Sequence, residues 1–443
     1  MKTVFLAIPN FVASGDLLRT EYLKYLSQKY RVVVLAPFLD PEAATHLNYY
    51  KTPTIVYVRK NLENPNFWIF FKLLRISLVN EFDYLRSLQH WYKRPNYLKN
   101  RKRRILRFFG RPFSRFLTAN FFTKLESWLL PKSKSFFELA NQYHPDHLIV
   151  STPGFDSWEA ELITFAKRLK LTTVAVDFSW DNLTTNAKHI RKTDFLIAWN
   201  TIMKKEAETI HKYSPDKVFV SGAPRFDPYF IEDKNNPGRD TFLKSKGLNP
   251  DYKTIFHTTV TKAYPFQKKY IRDLISLRDA RKIPYVNFFI RIHPLDIYEN
   301  YQEFFNVPDL CIERAGKNFD GETEMNIDDL FNLKRSLEYT DLNINYASTI
   351  SIEACVFNKP IINIGFIDRF ALAYDFEHYR PIFQSGAIRL AKEDADLPKF
   401  INMYLENPSL DSEAREWVVH NYAEFTDGQS YRRSVDLIEK CRL

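Results

Sequence analysis

Short, wholly apolar runs recur along this chain, each closed by a polar turn and followed by a stretch with helical spacing. Thr3 to Pro9 (TVFLAIP), Arg31 to Pro37 (RVVVLAP) and Thr54 to Val58 open the series. Such a run offers no polar face to water, so it fits a strand covered on both sides by helices. Between the first two runs, Ala13 to Tyr30 alternates apolar and polar residues at helical spacing. Strand, helix, strand in this rhythm predicts a doubly wound α/β domain. The rhythm returns at His147 to Thr152, Thr172 to Phe178, Phe195 to Trp199 and Lys217 to Val220. Ser221 to Phe230 (SGAPRFDPYF) carries two prolines and a glycine and reads as a hinge. Beyond it the pattern restarts, with strands over Thr254 to Val260 and Val286 to Ile292 flanking a helix from Phe266 to Arg281. Leu310 to Ile312, Leu342 to Asn345 and Pro360 to Gly365 read as further short strands, and three helical stretches near 397–406, 412–425 and 430–442 close the chain.

At 443 residues the chain exceeds one comfortable core. We expect two Rossmann-like domains: 1–225 with a helical insertion over about 64–142, and 226–425, with a last helix in 426–443 packing back on the first. Only Cys311, Cys355 and Cys441 are present, widely spaced and odd in number, which fits a reducing compartment and argues against a disulfide scaffold or metal cluster. The opening MKTVFLAIPNFV lacks a small-residue cleavage site and reads as a strand rather than a signal peptide. No apolar window is long enough for a spanning helix. Neither metal nor cofactor is expected.

Much of the net charge of +10 is local. From Lys99 to Arg115 the basic residues include Arg101, Lys102, Arg103, Arg104 and Arg107, with no acidic residue among them. Phe108, Phe109, Phe113, Phe116, Phe121 and Phe122 are interleaved with or follow them. Basic residues mixed with aromatics describe a helix that lies on an anionic membrane surface. The alternative is an ordinary helical insertion with packed aromatics and solvated arginines. The run belongs to no recognisable nucleic-acid module, which argues against nucleic acid as the partner.

Two stretches carry chemistry. In Tyr346 to Phe366 (YASTISIEACVFNKPIINIGF), Ser348, Thr349 and Ser351 open a helix after a strand, where unpaired N–H groups and the helix dipole favour a phosphate. Glu353 lies within the first turns, in reach of a ribose diol. In Arg291 to Asp296 (RIHPLD), His293 leaves its strand able to donate to a phosphate, while Arg291 can face either way. Thr258, Thr259 and Thr261 form another strand-end loop, and Lys262 is placed to meet leaving-group charge, or is simply solvated. Glycine is scarce, at 11 residues, so phosphate contacts fall to hydroxyls, His and Arg. HExxH, GxSxG, Walker and CxxC patterns do not occur, leaving metal hydrolysis, serine hydrolysis and ATP-loop chemistry without support.

The His-Pro pair after a strand, followed some fifty residues on by hydroxyls opening a helix that contains Glu353, resembles the second domain of GT-B-type glycosyltransferases. It is similar in particular to bacterial sialyl and capsule Kdo transferases and to teichoic-acid glycerophosphotransferases. GAPRFD at Gly222 to Asp227 and SWDNLT at Ser179 to Thr184 resemble segments of surface-polysaccharide enzymes. The resemblance implies that His293 contacts a donor phosphate, that Ser348, Thr349 and Ser351 hold the phosphates and that Glu353 binds ribose. It implies an inverting, metal-independent glycosyltransferase with a nucleotide-sugar donor (CMP-, UDP- or similar) in the second domain. A surface-glycan or lipid-linked acceptor belongs to the first, on the cytoplasmic face of the membrane. The alternatives are a polyol-phosphate transferase of teichoic type, a nucleotide-sugar 2-epimerase and a non-enzymatic basic lipid-binding protein. The carboxylate pair with glycine of the sialyltransferases is missing from the first domain. Base candidates are therefore acids that follow first-domain strands, Asp181 and Asp16 ahead of Asp156 and Asp177. Asp16 and Asp156 also suit helix caps, and Trp180 suits either a sugar or the core.

Overall fold

The computed structural model describes residues 1–92, 100–113, 115–262, 266–319, 322–324, 327–366 and 372–442; Lys99 of the basic run lies outside them. The chain divides into two compact units, Met1–Asp227 with Glu424–Leu443, and Pro228–Ala423.

The first unit holds a parallel sheet of β1 (Thr3–Ala7), β2 (Arg31–Ala36), β3 (Ile55–Arg59), β4 (His147–Val150), β5 (Thr172–Val176), β6 (Phe195–Ala198) and β7 (Val218–Val220), in the order β3-β2-β1-β4-β5-β6-β7. All five residues of β1 and β5 and all four of β4 and β6 are buried, which is why their sequences are predominantly apolar without a strict polar alternation. The order reverses between β1 and β4, and open sheets of this kind place ligands at the carboxyl ends beside such a switch.

The helix expected over Ala13 to Tyr30 is two helices, Ser14–Leu17 and Tyr22–Lys29. Thr20 separates them: its hydroxyl donates to the Asp16 carbonyl over 2.6 Å and accepts from the Tyr22 N–H. A side chain that bonds the local backbone in this way competes with helix continuation.

Between β3 and β4 lie helices Pro65–Leu78, Arg86–Tyr92, Arg101–Gly110, Ala119–Leu129 and Lys134–Tyr143. Phe71, Phe82, Leu88 and Phe122 share a small core with Ala187. Glu126 fastens the insertion: it accepts from Arg75 Nε and Nη2 at 2.6 and 2.8 Å and from Arg191 Nη1 at 2.7 Å, all three side chains being buried. Two cations on one carboxylate away from water require this placement, because an unpaired charge there costs several kcal/mol, ~3–5.

The closing helix Ser430–Ile438 belongs to the first unit. Asp227 takes its first N–H groups, Ser430 at 2.9 Å and Tyr431 at 2.8 Å. Gly222 beneath it has φ +85°, and a Cβ there would lie 2.3 Å from Ser430 Oγ, so only glycine fits. Thr426 to Gln429 lead into this helix.

The second unit repeats the architecture with β8 (Thr254–Thr258), β9 (Asn287–Ile292), β10 (Leu310–Arg314), β13 (Leu342–Asn345), β14 (Ile361–Ile364) and β15 (Arg389–Ala391), in the order β10-β9-β8-β13-β14-β15; β11 (Lys317–Phe319) and β12 (Glu322–Glu324) form a separate antiparallel pair. β8 stops two residues before the expected Val260. The Gln267 side-chain amide takes both the N–H and the carbonyl of Val260, leaving them nothing to give a neighbouring strand. β15 was not foreseen, its three residues being too short to register as an apolar run. The core runs from Ile255 and Phe288 through Ile344, Ile362 and Ile401.

Candidate functional site

In the second unit β9, β8 and β13 are successive neighbours in the sheet, so the residues that follow them lie at its carboxyl end, where the order reverses. The His293 N–H donates to Thr259 Oγ1 over 2.9 Å, tying the ends of β8 and β9 together. The Leu295 N–H donates to His293 Nδ1 over 3.0 Å. Nδ1 is therefore an acceptor, and the proton of the neutral ring sits on Nε2, facing away from the turn. Burial lowers this histidine to about 4, partly opposed by Asp296, so the ring is neutral at physiological pH. A neutral imidazole with a fixed Nε2–H is a hydrogen-bond donor to an anion and needs no protonation event.

Three expected donor contacts are spent inside the unit. Arg291 is buried and its guanidinium pairs with Glu313 and, at 3.7 Å, with Asp329, so the side chain faces β10 rather than a ligand. Thr259 Oγ1 is occupied as the acceptor of the strand tie. Ser351 is fully buried: Oγ donates to Asn345 Oδ1 over 3.0 Å and accepts from Tyr379 Oη over 2.7 Å. The helix start is also less open than its sequence implies. Helix Ile350–Val356 has seven residues. The N–H groups of Ala347 and Ser348 face the Tyr374 and Tyr379 hydroxyls, and those of Ser351 and Glu353 turn back on the Ser348 and Thr349 carbonyls. Buried donors need partners, and two tyrosines distant in sequence supply them. Ser348 and Thr349 remain half-buried, Glu353 is 7% exposed in the first turn, and Lys262 is exposed.

The first unit gathers acids at the ends of β1 and β5. Asp16 is fully buried and raised by desolvation to about 6, against the pull of Arg225 and Arg19; Arg225 Nε reaches its Oδ1 at 2.8 Å. Asp177, just past β5, accepts from Asn182 Nδ2 over 2.6 Å, and burial holds it well above the usual carboxylate range, helped by Asp181 and Asp16. Asp181 is half-buried. It precedes helix Asn182–Thr185 without capping it and accepts from the Ser179 hydroxyl. Asp156 is a helix cap, bonded to the Trp158 N–H over 2.8 Å, and Trp180 is core. Two acids escaped sequence reasoning. Glu159, buried at the end of β4, accepts from the Ser151 N–H at 2.7 Å and is raised to about 8, chiefly by burial. Asp227 is the clasp of the last helix. Glu159 sits in ordinary helical sequence that carries no signal of its own, whereas Asp227 ends the GAPRFD segment, in which nothing local shows that its acid takes the N–H groups of a helix some two hundred residues on.

Residues 159–440 match the model of the CDP-Glycerol:Poly(glycerophosphate) glycerophosphotransferase family, well over half of the chain. The chain belongs to this family. It is thus a transferase acting on a nucleotide-linked sugar or polyol phosphate. No curated protein matches the chain. Solved structures match it end to end: the UDP-GlcNAc 2-epimerase of Methanocaldococcus jannaschii at 12% identity and TM-score 0.56, covering 99% of this chain and 100% of that one; S. aureus MnaA in a co-structure with UDP at 12% and 0.55, covering 99% and 96%; and the wall teichoic acid polymerase TagF with CDPG at 11% and 0.51, covering 99% and 88%. At these identities the likeness speaks to fold, the two-domain GT-B-like α/β architecture expected from the sequence.

This glycerophosphotransferase-family chain also carries the basic helix Arg101–Gly110, in which no residue is buried. Arg101, Lys102 and Arg104 are exposed beside Phe108 and Phe109, which are 76% and 69% exposed. Arg103 is half-buried, and Arg107 lies 3.4 Å from Asp83. Of the aromatics in the insertion, Phe71 and Phe122 are packed while Phe70, Phe113, Phe116 and Phe121 stand exposed. Among the described residues no helix is long and apolar enough to cross a membrane.

Proposed function

We propose that this protein transfers a polyol-phosphate unit from a CDP-linked donor to a hydroxyl of a surface-polymer or lipid-linked acceptor. Membership of the glycerophosphotransferase family carries this reading, and the fixed Nε2–H of His293 supplies its chemistry. The second unit holds the donor, with His293 donating to its diphosphate, Ser348 and Thr349 on the phosphates, Glu353 on the ribose and Lys262 meeting leaving-group charge. The first unit supplies the base. Asp181 takes that role, because a base must reach the acceptor hydroxyl and Asp16 is fully buried. Asp181 removes the hydroxyl proton, the oxygen attacks the polyol-bearing phosphorus, and the bond to the bridging oxygen breaks so that CMP leaves. Developing charge on CMP is met by donors already in place, which is where most of the acceleration of such transfers arises.

Helix Arg101–Gly110 docks the enzyme on anionic lipid at the inner face of the cell membrane. Its exposed cations and phenylalanines support this, as charge and apolar area act together at an interface.

Transfer of a sugar from a nucleotide sugar uses the same groups, and the fold neighbours solved with UDP or UDP-GlcNAc keep it as a second reading. A thermal-shift series with CMP, CDP, UDP and GDP separates the two, since a ligand at a hundred times its Kd stabilises the folded state by ~2.7 kcal/mol. Cytidine nucleotides raising the melting temperature, with UDP inert, is the expected result; stabilisation by UDP alone contradicts it.

A further inference from the structure

Arg225 and Arg19 both lean on Gly15. A Cβ at that glycine would lie 2.7 Å from Arg225 Nη2 and 2.5 Å from Arg19 Nη2, so two guanidinium groups converge on one point beside the end of β1. Arg225 is held from three directions: Nε on Asp16 Oδ1 at 2.8 Å, the Trp199 ring 5.7 Å beneath it, and the bare Gly15 backbone. A guanidinium has five N–H donors. Among the described residues Nε alone has a carboxylate partner, and the side chain is 19% exposed. The cluster holds more cation than anion around Asp16: two arginines share that one carboxylate, and burial raises neighbouring Asp177 well above the usual carboxylate range. Like charges pressed together are costly unless an anion completes them. Asp177 senses both Asp16 and Asp181, so this cationic cluster and the proposed base flank one buried acid.

We infer that the outer edge of Arg225 binds a phosphate of the acceptor, and that Asp16 is the positioning residue that aims it. This deepens the proposed function and rests on it for the assignment to the acceptor. The second unit already provides donors for the nucleotide, whereas an anion held in the first unit beside the proton acceptor belongs to the molecule whose hydroxyl reacts. Poly(glycerophosphate), which the family's own description pairs with CDP-glycerol, carries such a phosphate. A planar fork presenting parallel N–H groups is the geometry suited to phosphate.

The test has a binding arm and a kinetic arm. With the donor site filled by CMP, glycerol 3-phosphate is titrated into wild-type protein by calorimetry, with glycerol as the uncharged control. Wild type should bind the phosphate and not glycerol; Arg225→Gln should weaken binding about ten- to hundredfold, the loss of a charge-assisted pair, and Arg225→Lys less. In turnover, Arg225→Gln should raise KM for a phosphate-bearing acceptor while leaving donor KM and kcat near wild type. Equal binding by wild type and Arg225→Gln, with Arg225→Lys as the check should the glutamine variant misfold, would overturn the inference. A rise in donor KM alone would move Arg225 to the donor and overturn it too. Phosphate binding lost on mutation in a protein that turns over no CDP-polyol would sink the proposed function and spare the anion site.

Discussion

Leu295 gives its backbone N–H to His293 Nδ1 over 3.0 Å, and that bond decides which ring nitrogen carries the proton. Replacing His293 by Ala removes the Nε2–H donor while leaving β9 and its turn intact. Turnover should fall about 100- to 1,000-fold, the usual cost of losing one transition-state donor, with the melting temperature little changed. The ring is lowered to about 4, so the rate should show no inflection from His293 between pH 5 and 8. A rate limb near 6.5 that disappears in His293→Ala would show that the ring titrates and that this picture of it is wrong.

Glu159 gives a stability experiment independent of activity. Its folded value is raised to about 8 from an ordinary 4.5, so the native state keeps a proton that the unfolded chain releases. Stability must then fall as pH rises between those values, by at most ~1.4 kcal/mol per pH unit. Glu159→Gln cannot lose that proton. Denaturant melts from pH 5 to 8 should show a shallower decline in the variant than in wild type; parallel curves would refute the buried, protonated state.

Glu126 joins the insertion to the sheet through Arg75 and Arg191. Glu126→Ala strands two buried guanidinium groups and should cost about 3–5 kcal/mol. Urea unfolding reads this directly, and a loss below about 1 kcal/mol would mean that the helices dock by their apolar core alone.

Helix Arg101–Gly110 predicts salt-sensitive binding to anionic vesicles. Each basic residue near the surface contributes ~1 kcal/mol, so changing Arg101, Lys102 and Arg104 together to Gln should weaken partitioning roughly a hundredfold. Phe108→Ser with Phe109→Ser should weaken it with less dependence on salt. Sedimentation with vesicles containing phosphatidylserine measures both, and unchanged binding in both variants would remove the helix from membrane docking.

Both sheets were legible because their strands are buried on two faces, and burial of that kind writes itself as short, predominantly apolar runs such as TVFLA and IINI. His293 was legible from its place after β9. The fates of Ser351 and Arg291 were not. Their partners, Tyr379, Asn345, Glu313 and Asp329, come from other elements of the second unit, and no local pattern reveals a side chain consumed by a distant one. Arg225 was hidden for the converse reason: its motif was visible, but the glycine and tryptophan that hold its guanidinium lie at positions 15 and 199. The closing helix was likewise unreadable as to function until Asp227 supplied the acceptor for its first N–H groups.

Phosphorus NMR of a reaction containing CDP-glycerol and a glycerophosphate-primed acceptor follows the transferred phosphorus itself. Polyol-phosphate transfer predicts that the donor diphosphate signals decay in step with the rise of CMP and of one new phosphodiester. An untouched CDP-glycerol donor, beside a UDP-sugar that is consumed with release of UDP, would contradict it.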